Sequence, residues 1–190
     1  MNHETSPVDA QAEAALIAKA LRGDGRAFGQ LVAPHLDRCF RLAMRTAGDR
    51  ALAEEAVQEA LTIAHRDLAR YQAGSSLRGW LCALAMRCAA TLARSERRRS
   101  VREGGSAEPA TPAGPEAALQ ARDLGDRLTQ ALASLSEKRR EAALLRFDGG
   151  LQHREIGTAM GISDAAARQL VCEATKALKL ALADSGEEMA

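Results

Sequence analysis

The sequence predicts an all-α protein: two small helical domains joined by a flexible linker, the C-terminal one a helix-turn-helix. Three observations predict it. Ala, Leu, Arg and Glu dominate the 190 residues, aromatic residues make up 3%, and β-branched runs are absent, so helix propensity outweighs strand propensity along the chain. Apolar residues recur at helical spacing in two blocks. Between the blocks, Glu103 to Glu116 carries Pro109, Pro112 and Pro115 with Gly104, Gly105 and Gly114 and no periodicity, which is the chemistry of a linker. The expected organisation is a helical domain over 10–102, a linker over 103–116 and a helix-turn-helix domain over 117–184.

In the first block, a helix is expected from about Ala10 to Arg22, ending at Gly23. A second runs from Gly25 or Arg26 to Ala47, with an irregularity at Pro34 because proline cannot continue the hydrogen-bond ladder. Gly48-Asp49 marks a break, and a third helix covers Arg50 to Tyr71. Its residues Val57, Leu61, Ala64 and Leu68 are spaced to bury one stripe, leaving Glu54, Glu55, Gln58, Glu59 and Thr62 on wetter faces. Glutamates in a first turn also suit the helix dipole, so spacing alone does not separate a docking face from ordinary helix electrostatics.

After the loop at Tyr71-Gln72-Ala73-Gly74, Ser75 or Ser76 can cap a helix from Leu77 to about Arg99. At 100° per residue, Leu77, Leu81, Leu84, Cys88 and Leu92 share an apolar sector. Arg87, Arg94 and Arg98 form a stripe beside it, together with Trp80 and Thr91. Arginines bind phosphate and aromatic faces stack on bases, so this helix can pack and bind nucleic acid at once. Arg97, Arg99 and Arg102 tilt the reading from a plain solvated face towards DNA.

In the second block, Leu119 to Ala133 and Ser136 to about Phe147 are helices, the latter ending at Gly149-Gly150. Leu151 to Leu182 then reads as two helices hinged at Gly161-Ile162-Ser163. In the last helix Ala167, Leu170, Val171, Ala174 and Leu178 point inward, while Ala165, Arg168, Gln169, Cys172, Lys176 and Lys179 point outward. Gln169 can pair with adenine in the major groove and Arg168 can reach guanine or phosphate. A three- or four-helix bundle would satisfy the same inward pattern.

Composition narrows the alternatives. A net charge of +1 means that any DNA contact comes from local clustering rather than a basic coat. No run approaches the ~20 apolar residues of a membrane span and the N-terminus lacks a basic start with an apolar core, so a cytoplasmic protein without stable membrane insertion is expected. Cys39, Cys82, Cys88 and Cys172 lack CxxC spacing and read as reduced packing residues, even though His35 and Cys39 lie one helical turn apart. No phosphate loop, nucleophile motif or zinc signature supports a helical enzyme or a metal sensor, and no cofactor is expected.

Taken together, the segments resemble the extracytoplasmic-function sigma factors, which keep only the second and fourth conserved regions of bacterial sigma factors. In the first block the resemblance rests on Arg22-Gly23-Asp24 with Ala27-Phe28, Arg41-Leu42-Ala43, Gly48-Asp49, Ala53-Glu54-Glu55, Val57-Gln58-Glu59 and Gly74-Ser75-Ser76 leading into Trp80-Leu81. In the second it rests on Leu135 to Glu141, Leu144-Leu145-Arg146, Glu155-Ile156-Gly157 and Met160-Gly161-Ile162-Ser163. The resemblance implies that Glu54, Glu55, Val57, Gln58 and Glu59 help to dock on the clamp helices of core RNA polymerase. It implies that Tyr71, Ser75, Ser76, Trp80, Arg87, Thr91, Arg94 and Arg98 open and read the minus-ten element of promoter DNA. Arg168, Gln169, Cys172 and Lys176 would face the minus-thirty-five element, an anti-sigma factor would regulate the protein, and the protein itself would catalyse nothing. The chain departs from the family pattern at His65, Arg87 and Thr91, where Trp, Asn and Asp are frequent. Basic positions of the recognition helix have become Leu170, Glu173 and Thr175. That substitution motivates an alternative, a sigma-like interaction module that has lost promoter reading.

Overall fold

The computed structural model describes residues 7–71, 76–102, 125 and 127–187, with side chains from residue 11 to residue 183. Every regular element among them is helical. The first unit contains α1 (Pro7–Leu21), α2 (Gly25–Val32), α3 (Leu36–Ala47), α4 (Arg50–Asp67) and α5 (Leu77–Arg102). The second contains α6 (residues 127–134), α7 (Glu137–Phe147), α8 (His153–Met160) and α9 (Asp164–Glu187). The expected linker, 103–116, lies outside the described residues.

Local chemistry sets the boundaries. Asp24 opens α2 by accepting hydrogen bonds from the backbone N–H groups of Arg26 and Ala27 at 3.0 and 3.1 Å. Asp49 does the same for α4 through Leu52, at 2.9 Å. The irregularity expected at Pro34 is a 3₁₀ turn, Ala33–His35, which divides one long helical stretch into α2 and α3. A second 3₁₀ turn, Leu68–Arg70, ends α4 before the Tyr71 expected from sequence. Ser76 caps α5, its hydroxyl accepting from the Gly79 N–H at 3.1 Å.

The buried face of α4 differs from the predicted stripe. Ala53, Ala56, Ala60 and Ala64 are buried with Leu68, whereas Val57 and Leu61 are only half-buried at its flank. The physical reason is that α4 packs against both α3 and α5, and alanine lets the three backbones approach closely. Central α5 is buried around most of its first half: Leu81, Cys82, Ala83, Leu84, Ala85 and Met86 all lie inside, and Leu92 is half-buried.

In the second unit, Ala131 and Leu135 pack against Ala143, Ala174 and Leu178. The turn between α8 and α9 depends on two glycines. Gly161 has φ +68°, and the Gly157 carbonyl accepts the Ile162 N–H at 2.9 Å across the corner. A Cβ at Gly157 would sit 2.9 Å from the Ile162 carbonyl oxygen, which is backbone and cannot swing away. Gly157→Ala is expected to lower stability by about 1–3 kcal/mol, the usual cost of overpacking, read as a lower urea midpoint at unchanged slope.

The two units are packed together. Leu144, Leu145, Leu151, Ile156, Ala167 and Val171 belong to the same buried cluster as Leu42, Leu81 and Ala85. At this seam Leu151 faces Gly79, the Arg78 Nη2 donates to both carboxylate oxygens of Glu155 at 3.1 Å, and Arg45 pairs with Asp148 at 3.6 Å. The two helical units are therefore in direct contact, because α5 presents apolar surface on both of its long sides.

Candidate nucleic-acid interface

Three surfaces collect the residues singled out in the sequence. On α4, Glu54, Glu55, Gln58 and Glu59 are exposed together and Val57 is half-buried between them. Glu54 pairs with Arg50 at 2.8 Å on the same helix, and Glu55 and Glu59 extend the acidic face. This face is carried on the rigid three-helix packing of α3, α4 and α5, which suits it to docking.

The second surface is on α5 and the turn before it. Tyr71 and Trp80 stack with centroids 5.3 Å apart and planes inclined by 33°. The Tyr71 hydroxyl donates to Glu13 on α1 at 3.4 Å. Burial raises the Glu13 carboxyl above its ordinary range, and the hydrogen bond from Tyr71 opposes that rise. Ser76 is occupied at the helix cap, and Ser75 lies outside the described residues. Farther along, Arg87, Thr91, Arg94 and Arg98 are all exposed. The Thr91 hydroxyl donates to the Arg87 carbonyl at 2.9 Å and accepts from Arg94 Nη2 at 3.3 Å.

Sequence reasoning missed what faces this stripe. Arg87, Arg94 and Arg97 line a cleft of about 560 Å³ whose opposite wall is α7, with Glu137, Arg140 and Glu141. Arg94 approaches Glu137 at 3.7 Å. Burial raises the Glu141 carboxyl, Arg87 pulls it back down, and Glu137 adds a smaller upward push. Nothing in the helical periodicity of α5 announces partners on the far side of residues 103–116.

The third surface is the outward face of α9. Arg168, Gln169, Cys172 and Lys176 are exposed along one side, as the spacing predicts. Arg168 donates to Asp164 at 3.0 Å, and Gln169 donates to Glu173 at 2.9 Å. Glu173 also pairs with Arg139 of α7 at 2.8 Å. Its carboxyl lies below the ordinary range, held there by the Gln169 hydrogen bond first and by Arg139 second. Arg168 and Gln169 are thus each held by an acidic neighbour on the same helix.

Glu155 governs the seam between the units and was legible only in part. With Gln152 it forms a capping box at the start of α8, the carboxylate accepting the Gln152 N–H at 2.6 Å. Burial works against its charge, but the Gln152 N–H, the Ser76 hydroxyl and Arg78 together hold the carboxyl below its ordinary range. A lowered folded value means that this stabilisation is complete above the usual carboxylate range and is lost as pH falls through the lowered value. Glu155→Gln is expected to cost about 1–3 kcal/mol at neutral pH and to flatten the acid limb of stability against pH, measured by denaturation between pH 3 and pH 7, roughly the range over which carboxylates titrate.

The family described as sigma-70 region 2 matches residues 31–99, and that described as sigma-70 region 4 matches residues 125–178. The chain is 32% identical over 158 residues to the ECF RNA polymerase sigma factor SigL of Mycobacterium tuberculosis, covering 80% of this chain and 86% of that protein. It is 30% identical over 164 residues to the ECF RNA polymerase sigma factor SigE of Mycolicibacterium smegmatis, covering 85% of this chain but 63% of that protein. Among solved structures, CnrH in complex with the cytosolic domain of CnrY is similar at a TM-score of 0.69 and 25% identity, over 92% of this chain and 98% of that one.

Matches to both sigma regions, on a first unit with an exposed arginine edge and a second with a helix-turn-helix, define a DNA-binding protein of transcription initiation. The chain belongs to the extracytoplasmic-function sigma factors of the sigma-70 family. It is a promoter-specificity subunit, acting with core RNA polymerase on promoter DNA. Among the described residues, no helix is long and apolar enough to cross a membrane.

Proposed function

We propose that residues 10–102 dock on core polymerase through Glu54, Glu55, Val57, Gln58 and Glu59 and open the minus-ten element with the α5 surface. Tyr71 and Trp80 offer stacking faces to unpaired bases, Ser75 and Ser76 contact the same strand, and Arg87, Thr91, Arg94 and Arg98 track the phosphates. Residues 117–184 read the minus-thirty-five element through Arg168, Gln169, Cys172 and Lys176, with 103–116 as the linker. The observation that carries this reading is the continuity of the Tyr71–Trp80 stack with an exposed arginine edge on one well-buried helix.

In the packed arrangement Glu137 and Glu141 stand over that edge, so promoter engagement requires α7 to move away from α5. Such a protein supplies binding energy for strand separation rather than a reaction of its own, and it works in the cytoplasm where polymerase and template meet. An anti-sigma partner that stabilises the packed arrangement would silence it. The similarity to CnrH, solved with the cytosolic domain of CnrY, supports that assignment.

Reconstituted transcription with core polymerase and genomic promoter fragments tests the proposal. Specific transcripts are expected together with co-elution of the protein and the core enzyme. Binding to an anti-sigma domain without core binding or transcripts would instead favour the interaction-module reading, which the Glu173 pairing with Gln169 and Arg139 motivates.

A further inference from the structure

Glu173 of α9 divides its carboxylate between two helices. Its Oε2 accepts from Arg139 of α7, through Nε at 2.9 Å and Nη2 at 2.8 Å. Its Oε1 accepts from the Gln169 amide nitrogen, one turn earlier on α9, at 2.9 Å. Glu173 is half-buried, whereas Gln169 is exposed beside Arg168 and Cys172 on the outward face. The arginine fork fixes the carboxylate, and the fixed carboxylate in turn fixes the amide.

An ionised carboxylate only accepts, so the Gln169 nitrogen has to face it; turning the amide over would set Gln169 Oε1 against a negative charge. One amide hydrogen is then committed to Glu173. Gln169 keeps the Oε1 acceptor and one hydrogen for an outside partner. Adenine offers the complement in the major groove, a donor at N6 and an acceptor at N7, whereas guanine offers two acceptors, O6 and N7. A glutamine without such a partner turns freely and has both hydrogens to give, so it separates the two purines less sharply.

We propose that Glu173, anchored by Arg139, is a positioning residue that presents Gln169 to an adenine of the minus-thirty-five element. This rests on the reading of α9 as the helix that enters that element. The negative charge of Glu173 also repels DNA phosphate, so the arrangement lowers overall affinity while sharpening the choice of base.

Holoenzyme assembled from the full chain and core polymerase, selected on a promoter library randomised across the minus-thirty-five element and sequenced, tests the assignment. The native chain is expected to enrich adenine at one position by roughly fivefold or more, and Gln169→Ala to lose that enrichment. Glu173→Ala and Arg139→Ala are expected to lower it roughly threefold or more, with guanine gaining at the same position. Arg139→Lys should keep most of it, since an ammonium also holds the carboxylate. Binding of Glu173→Ala to duplex lacking the element is expected to be as tight or tighter, because a negative charge has left the DNA-facing side. A merely structural role would weaken that binding as well. Gln169→Ala enriching the same bases as the native chain overturns the inference together with the minus-thirty-five reading. Adenine enrichment that Gln169→Ala removes but Glu173→Ala and Arg139→Ala leave intact overturns the inference alone, as does a Gln169-dependent preference for another base.

Discussion

Replacing Arg87, Arg94 and Arg98 together with alanine is expected to weaken open-complex formation by ~10²- to 10³-fold while leaving the fold and core binding intact. All three side chains are exposed, so the stability change should stay small, within about 0.5 kcal/mol at each site. Their loss removes up to three charge-assisted phosphate contacts, each worth about 1.5–3 kcal/mol before non-additivity. Promoter affinity should also depend less steeply on salt, with the log–log slope shallower by about 2–3. Filter binding against salt, permanganate footprinting of the opened strands and co-elution with core polymerase measure the three quantities separately. Lysine at the same positions should restore most of the salt slope but only part of the opening, since a point charge cannot fork onto phosphate. Strand opening that survives the triple alanine variant would move the melting contacts off α5.

The second large effect is expected at Leu151, which is fully buried, donates its backbone N–H to the Leu145 carbonyl at 3.1 Å and lies against Gly79. Leu151→Ala should cost about 2–5 kcal/mol through lost transfer energy and the cavity left behind. Leu42→Ala, in the centre of the first unit and equally buried, should cost a similar amount. The two differ in shape: small-angle scattering is expected to show the units drawing apart in Leu151→Ala and staying together in Leu42→Ala. Equal scattering profiles would mean that the seam does not depend on this leucine.

Much of this molecule was legible in its residues. The helix breaks at Gly23, Pro34, Gly48 and Gly161 follow from backbone chemistry that any neighbour would leave unchanged, and the outward face of α9 follows from a regular period. On α4 the spacing of large apolar side chains locates Ala64 and Leu68 correctly but overstates the burial of Val57 and Leu61. Packing on two sides favoured Ala53, Ala56, Ala60 and Ala64, and small size carries no signature in a periodicity count. The pairing of Arg78 with Glu155 and the placing of Glu137 and Glu141 of α7 opposite the arginine edge join residues far apart in sequence, and helical spacing reports only neighbours on one helix. A Gln152–Glu155 capping spacing was the one local hint that Glu155 had work beyond solubility.

The seam between the units joins an apolar cluster around Leu151 to a mostly buried Arg78–Glu155 pair and a few outer charges, a smaller contact than the packing inside the first unit. Joined on a single polypeptide, the two faces meet at an effective concentration near the millimolar range, so a contact of that size stays mostly made. A competitor therefore needs only a few kcal/mol of preference for the separated form to reverse the balance by two orders of magnitude or more. A tether of this kind lets one polypeptide be recruited and recaptured without ever losing hold of its second half.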